Sequence, residues 1–600
     1  MAASSSNASV RSLPQESANA GPLTASMMPF ELTVALVMAL ALAFTLHVAE
    51  PDLWGHVQYG RDALTDGLAT TTTYSYSAEG YPWVNHENLS ELLFALGVDY
   101  LGIPGLLMVK CGLGLLMASW LIGLAVRRGA QPLVACATTL MVAMTLVSYW
   151  QMRPQLFSQL LYAILMGLLC LSFQEWEGSW RLPWLSGAWR DQARTNLPIA
   201  HRPSWLLWCV PPLFVIWVNA HGGFVAGLAL LLACLLARAA EAFLTMGRGA
   251  YPALARMGTV GLVAVLATLL NPYGPRLHLW LIQAMDVPPP EITEWQPLSL
   301  ASEAAPAVGL LAVVGLASLW GSRRSLDATQ LLLLALTAWQ ASRHERHVPF
   351  FAILSGLVIP PHLQSLLDRM RRGSTADTRT TNAESTADIG QRILANRWTR
   401  SGIYGLLFLA ALGLGLRMRQ ITVHRHLYPV SAVEFMARHH LGGRTVVTYN
   451  WAQYVIAALG RGDEHRKAVQ VGFDGRFDTC YPALVLDQHF DFILGADEAS
   501  VRRSRSQASG APDPARHVRE GNPELVLINR RQTPSVNVMQ REAGWILLYQ
   551  DQIAQLWGRS DRYDDQSRAT YLPPAQRQIS DAAQTGTEAW PALPRANANG

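Results

Sequence analysis

The chain is 600 residues long, 50% hydrophobic and only 15% charged, with a mean hydropathy of +0.16 and a formal net charge of +4. Soluble domains carry charge on about a quarter of their residues, so this composition excludes a purely soluble protein and indicates a membrane protein with a soluble portion. So small a net charge argues neither for nor against a nucleic-acid partner, and none is expected of a membrane protein with these segments.

In chain order, residues Met1 to Met28 are rich in Ala, Ser and Asn, with only Arg11 and Glu16 charged. They read as a disordered cytoplasmic tail rather than a cleaved signal peptide. Apolar segments then recur near Phe30–Val48, Ile103–Val126, Pro132–Tyr149, Leu156–Phe173, Trp205–Ala220, Phe224–Phe243, Ala255–Leu270, Ala307–Trp320, Thr329–Trp339, Val348–Leu367 and Ile403–Leu416. They reach or approach the roughly 20 residues that a helix needs to cross a hydrocarbon core. The reading is an α-helical polytopic membrane protein with about eleven transmembrane helices over residues 29–418. Of the six cysteines, five lie in apolar runs and Cys480 lies in the polar C-terminal part, with no CxxC spacing. No disulfide framework or cysteine metal site is expected.

Loops holding Arg127 and Arg128, Arg181 to Arg202, Arg248 and Arg256, Arg323 and Arg324, and Arg369 to Arg400 alternate with loops poor in arginine. By the positive-inside rule these are cytoplasmic, which places the N-terminus inside and everything after Leu416 outside. Residues 50–87 form the first outer loop. Residues 88–101 (NLSELLFALGVDYL) carry Glu91 and Asp99, and are assigned as an interfacial helix along the outer surface. The unusual motifs then share the outer side: EPDLWGH at 50, RPQ at 153, NAHGG at 219, NPYGPRLH at 271, EITEWQP at 291 and RHERH at 343. A transporter would carry polar residues near the midplane in broken, repeated helices, and no such repeat is present.

Beyond Leu416, short apolar runs (TVVTYN at 445, VQVGF at 469, FDFILGA at 490, ELVLINR at 524, WILLYQD at 545) read as strands. With helices at Pro429–His440 and Trp451–Leu459 they predict an extracytoplasmic α/β domain over 419–561. The polar, Pro-containing stretch 562–600 reads as a disordered tail.

Asp52 stands just after the first apolar run, behind Pro51 and before Leu53 and Trp54. A carboxylate there can take a proton from an acceptor hydroxyl if partial burial raises its pKa, or it can simply cap a short helix. Glu50 completes an ExD pair able to hold a divalent cation. His56, and His86 with Glu87, can supply an acid, a ligand or a hydrogen bond, or be packed or solvated histidines. Arg153, Arg276, Arg343 and Arg346, with His347 in the RHERH run, suit bidentate phosphate contact or lipid headgroups. Glu294 and Trp295 form an acidic, aromatic loop able to cover a sugar, or a plain surface turn. His221 in NAHGG reads as part of a tight reversal.

Glu50-Pro-Asp-Leu-Trp-Gly-His56, TYSYSAEGYPWVNHENLSELL, RPQLFS, WVNAHGGF, NPYGPRL and Arg346-His-Val-Pro-Phe-Phe form an ordered set. With Asn450-Trp451, Tyr454 and Phe473-Asp-Gly-Arg476 downstream, the stretch from Pro29 to Arg559 resembles bacterial polytopic proteins classed with the C-type (GT-C) glycosyltransferase superfamily. The resemblance implies transfer of a sugar from a polyprenyl-phosphate donor to an envelope glycan, lipid or protein acceptor, on the non-cytoplasmic side of the bacterial inner membrane. It puts the base or metal ligand on Asp52, with Glu50 second, and donor-phosphate contact on Arg346 and Arg343. Gly55 departs from the second tryptophan expected in a Trp-Trp-His run. The alternative is a non-catalytic scaffold whose outer domain binds a polysaccharide or protein through Asn450, Trp451, Asp474 and Arg476.

Overall fold

The structure is a computed structural model that describes residues 30–176, 205–286, 290–374, 397–462, 467–496 and 505–594. The N-terminal tail, the arginines from 181 to 202 and most of the 369–400 loop lie outside the described residues. All eleven apolar segments are helical. Among the described residues, four helical stretches are long and apolar enough to cross a membrane: Asn88–Arg127, Gln155–Ser172, Phe224–Ala267 and Glu345–Arg371; five shorter apolar helices accompany them. The bundle is packed inside by Trp150, Tyr162, Phe214 and Trp217 while Val313, Leu316, Trp320, Leu406 and Phe408 point outward, more than half exposed. A belt of bare apolar side chains on an already packed bundle is stable in hydrocarbon and unstable in water, so the chain is a membrane protein.

The two ends of the bundle differ. At one, Arg128 donates to the Leu357 carbonyl and to Gln330 Oε1, and Arg369 donates to the Gly321 carbonyl. At the other gather the motifs from residues 50, 153, 219, 291 and 343, and against them sits the C-terminal domain.

Among its described residues that domain contains eight strands: β1 (Thr422–His424), β2 (Gly443–Val447), β3 (Val469–Val471), β4 (Leu525–Asn529), β5 (Trp545–Gln550), β6 (Ala554–Arg559), β7 (Gln578–Ile579) and β8 (Thr587–Ala589). Six form one mixed sheet in the order β3-β2-β4-β6-β5-β7, in which β2 is parallel to β3 and β4, and β6 is antiparallel to β4 and β5. FDFILGA is not a strand but the end of a helix, Ala483–Leu494, in which Val485, Leu486, Phe490 and Ile493 are buried. The helix stops at Gly495, with φ of 83°. Its last apolar residues, read alone, fit either period.

The stretch 562–594, expected to be disordered, is folded. β8 pairs with β1, and Trp590 is buried against Trp54, 6.1 Å between ring centroids. The Trp54 indole donates to the Pro591 carbonyl (2.9 Å), and the Tyr454 hydroxyl donates to that of Ala592 (2.6 Å). A polar composition therefore hides a strap anchored by one aromatic residue and backbone pairing.

The first outer loop is also more regular than expected. Pro51–Asp66 is a helix whose first position suits proline, which has no N–H to satisfy, and the Glu50 carboxylate caps it by accepting the Asp52 N–H (2.9 Å). The 88–101 segment leads directly into the Gly102–Arg127 helix through a π-type turn at Gly97–Leu101 and a bend at Gly102, whose φ is 65°. Its Ser90, Glu91 and Phe94 are buried toward the interior.

Candidate functional site

Asp52 is the second residue of its helix, so its carboxylate projects from the N-terminal end, where the helix dipole favours negative charge. It opens on a cavity of about 600 Å³ lined by bundle and C-terminal domain together. Behind it, the Arg153 guanidinium lies among three carboxylates. Nη2 contacts Glu50 and stands 3.2 Å from Asp52 Oδ2, while Nη1 lies 2.5 Å from Glu294 Oε1. Burial, then the Glu50 charge, raise the Asp52 pKa, and Arg153 holds it back, leaving it at about 7. A carboxyl there is half ionised at neutral pH, as a general base requires.

The Glu50–Asp52 pair, able by its spacing to hold a divalent cation, is already engaged. One Glu50 oxygen takes the Asp52 N–H and the other takes Arg153. Arg153 supplies the positive charge itself.

His56, one turn after Asp52, has its Nδ1 3.3 Å from Glu91 Oε1 and 3.9 Å from Glu87 Oε2. Burial lowers its pKa, but the hydrogen bond to Glu91 and the two carboxylate charges outweigh that and lift it to about 9. His221 is the residue that sequence reasoning set aside. Its Nδ1 accepts the Gly223 N–H (3.0 Å), so the proton must sit on Nε2, which points at Glu87 Oε1 (3.6 Å). Ser158 Oγ lies 2.7 Å from that Nδ1 and itself accepts from the Trp217 indole. Burial holds His221 well below the usual histidine range, so it is a neutral donor facing the cavity.

Of the other expected residues, His86, Glu87, Trp295, Arg346 and His347 line the cavity, with the Arg346 guanidinium stacked 4.2 Å over the Trp295 ring. Glu50, Arg153 and Glu294 stand behind Asp52. Arg276 and Arg343 are exposed and line no part of the cavity.

The C-terminal domain supplies what the sequence left unassigned. A β-carbon on Gly475 would lie 2.5 Å from Asp52 Oδ1 and from Gln453 Nε2, so only glycine lets this loop approach. Arg476 is clamped by Asp474 (2.7 Å) between the rings of Tyr59 and Trp83, at 4.7 and 4.8 Å. Trp451, Asp474 and Arg476 are buried, so they form no exposed partner face; Asn450 is exposed. Gly55 is likewise dictated by contact. A β-carbon there would meet Gln453 Oε1 at 2.3 Å, and a tryptophan would push the Tyr449–Leu459 helix off the site.

No family model and no curated protein matches the chain. Among solved structures it is similar to the Archaeoglobus fulgidus oligosaccharyltransferase tethered to an acceptor peptide containing the NVT sequon, at 12% identity over 88% of this chain and 74% of that one, with a TM-score of 0.48. It is similar also to the oligosaccharyltransferase AglB of that organism in complex with an inhibitory peptide and a dolichol-phosphate, at 12% identity over 83% and 69%, with a TM-score of 0.46. A likeness at this level carries no functional assignment.

Proposed function

We propose that the chain is a C-type membrane glycosyltransferase that moves a sugar from a polyprenyl-phosphate donor to an envelope acceptor, with Asp52 as the base. The observation that carries this is the placement of Asp52, with a pKa near neutrality, on a cavity that also holds Arg346 and an aromatic and aliphatic wall including Trp280, Leu336 and Phe350. The apolar wall suits the lipid end of the donor and Arg346 suits its phosphate. Asp52 removes the acceptor hydroxyl proton as its oxygen forms the bond to the anomeric carbon. The bond from that carbon to the phosphate oxygen breaks, and Arg346 stabilises the leaving phosphate.

The membrane part crosses the bilayer about eleven times, with the N-terminus in the cytoplasm and the C-terminal domain outside a bacterial inner membrane. The arginines at the end remote from the cavity support this orientation. The test is release of polyprenyl phosphate from a panel of polyprenyl-phosphate sugars by protein in lipid discs. Asp52→Asn is expected to cut release by about 10²- to 10⁴-fold. Equal release by the variant overturns the assignment of the base.

A further inference from the structure

We propose that His56, Glu87 and Glu91 form a binding site for one divalent transition-metal ion of the zinc class, separate from the Arg153 cluster. His56 Nδ1 and one oxygen from each carboxylate lie within 4.8 Å of one another, on three side chains that are largely buried. A tetrahedral ion with ligand bonds of 2.0–2.2 Å sets its ligand atoms about 3.3–3.6 Å apart. The observed separations from His56 Nδ1, 3.3 Å to Glu91 and 3.9 Å to Glu87, reach that range with small side-chain movement.

Two further observations point to a ligand. The Glu87 carboxylate accepts no hydrogen bond among the described residues, although His56, His86 and His221 each present a ring nitrogen at 3.6–3.9 Å from it. Those gaps are too wide for hydrogen bonds and wide enough for an ion between Glu87 and His56. The surroundings are also built as metal sites are. Asn85 Nδ2 donates to Glu91 Oε2 (2.6 Å), leaving Oε1 toward His56, and Asn85 is itself held by the Tyr273 hydroxyl (3.1 Å) and the Asn88 amide (2.6 Å). His221, with its Nδ1 lone pair taken by the Gly223 N–H and its proton on Nε2, has no free lone pair for an ion and is not a ligand. One imidazole with two carboxylates selects zinc, manganese or cobalt over magnesium. All three ligands line the cavity that Asp52 lines, so the remaining position of the ion is open to an oxygen of a phosphate or hydroxyl.

The test is independent of the transferase reading because it measures the metal and not turnover. Full-length protein in lipid discs is stripped with chelator, then titrated with Co²⁺, with bound metal counted by mass spectrometry and the visible ligand-field bands recorded. One equivalent per chain with tetrahedral-type absorption is expected. Its affinity should fall at least tenfold in His56→Ala and in the conservative Glu87→Gln, and be unchanged in Glu50→Gln. Absence of a saturating equivalent in the wild type overturns the proposal. So does binding retained in both site variants, or binding lost in Glu50→Gln alone.

Discussion

Replacing Arg153 by glutamine leaves Glu50, Asp52 and Glu294 facing one another without the guanidinium that lies between them. Removing one partner of a buried ion pair costs about 3–5 kcal/mol. The Arg153 side chain is 20% exposed and that of Glu294 is 44% exposed, so the lower end, about 3 kcal/mol, applies here. Glu50→Gln in the Arg153→Gln background removes one repelling carboxylate and should recover about 1–2 kcal/mol, a coupling a double-mutant cycle resolves. A thiol-reactive fluorophore can follow thermal opening in lipid discs, because the side chains of Cys111, Cys136, Cys234 and Cys480 are buried until the protein opens. The sign of the pH effect is fixed too. Arg153 is the leading influence lowering the Asp52 pKa, so its loss moves that pKa above about 7. The active base is the ionised form, so the rising limb of donor-release activity should move to higher pH, with activity lost at pH 7 and partly regained near pH 8.5. An Arg153→Gln protein that melts like wild type, with its rising limb unmoved, would refute Arg153 as the counter-ion.

Arg346→Ala should raise the KM for the lipid donor at least tenfold, whereas Arg276→Ala and Arg343→Ala should stay within twofold of wild type; steady-state kinetics on the three separate cavity arginines from exposed ones. Gly475→Ala should displace the Asp52 carboxylate or the Gln453 amide and lower kcat at least tenfold, while thermal opening stays within a few degrees of wild type; unchanged kcat would mean the loop yields freely. Trp54→Ala removes a buried ring packed on Tyr428, Tyr454 and Trp590. It should cost about 3–5 kcal/mol in the same melting assay.

The membrane helices were legible because an apolar run of that length has few other fates, and segregation of arginines from acidic and aromatic motifs foreshadowed two unlike ends. The ExD pair, His56 and Arg346 were legible as reactive side-chain types in one short motif or another. The contacts between them were not. Arg153 meets Glu50 across 103 residues, and Gly475 approaches Asp52 from a separate domain. Such proximities follow from tertiary packing, which local spacing does not encode. FDFILGA was misread because a short apolar run fits helix and strand alike. The strap at 587–592 was missed because its hold is backbone pairing and a single tryptophan, which composition averages away.

That strap bears on how the protein is made. The Trp54 indole waits for a carbonyl that lies 537 residues further along the chain. At synthesis rates of about 5–20 residues per second, the helix bearing Asp52 stands for roughly half a minute to two minutes without the segment that seals it. The site therefore cannot be completed until that segment has been made, and a product cut short before Trp590 would present an unsealed aromatic surface for proteases to recognise.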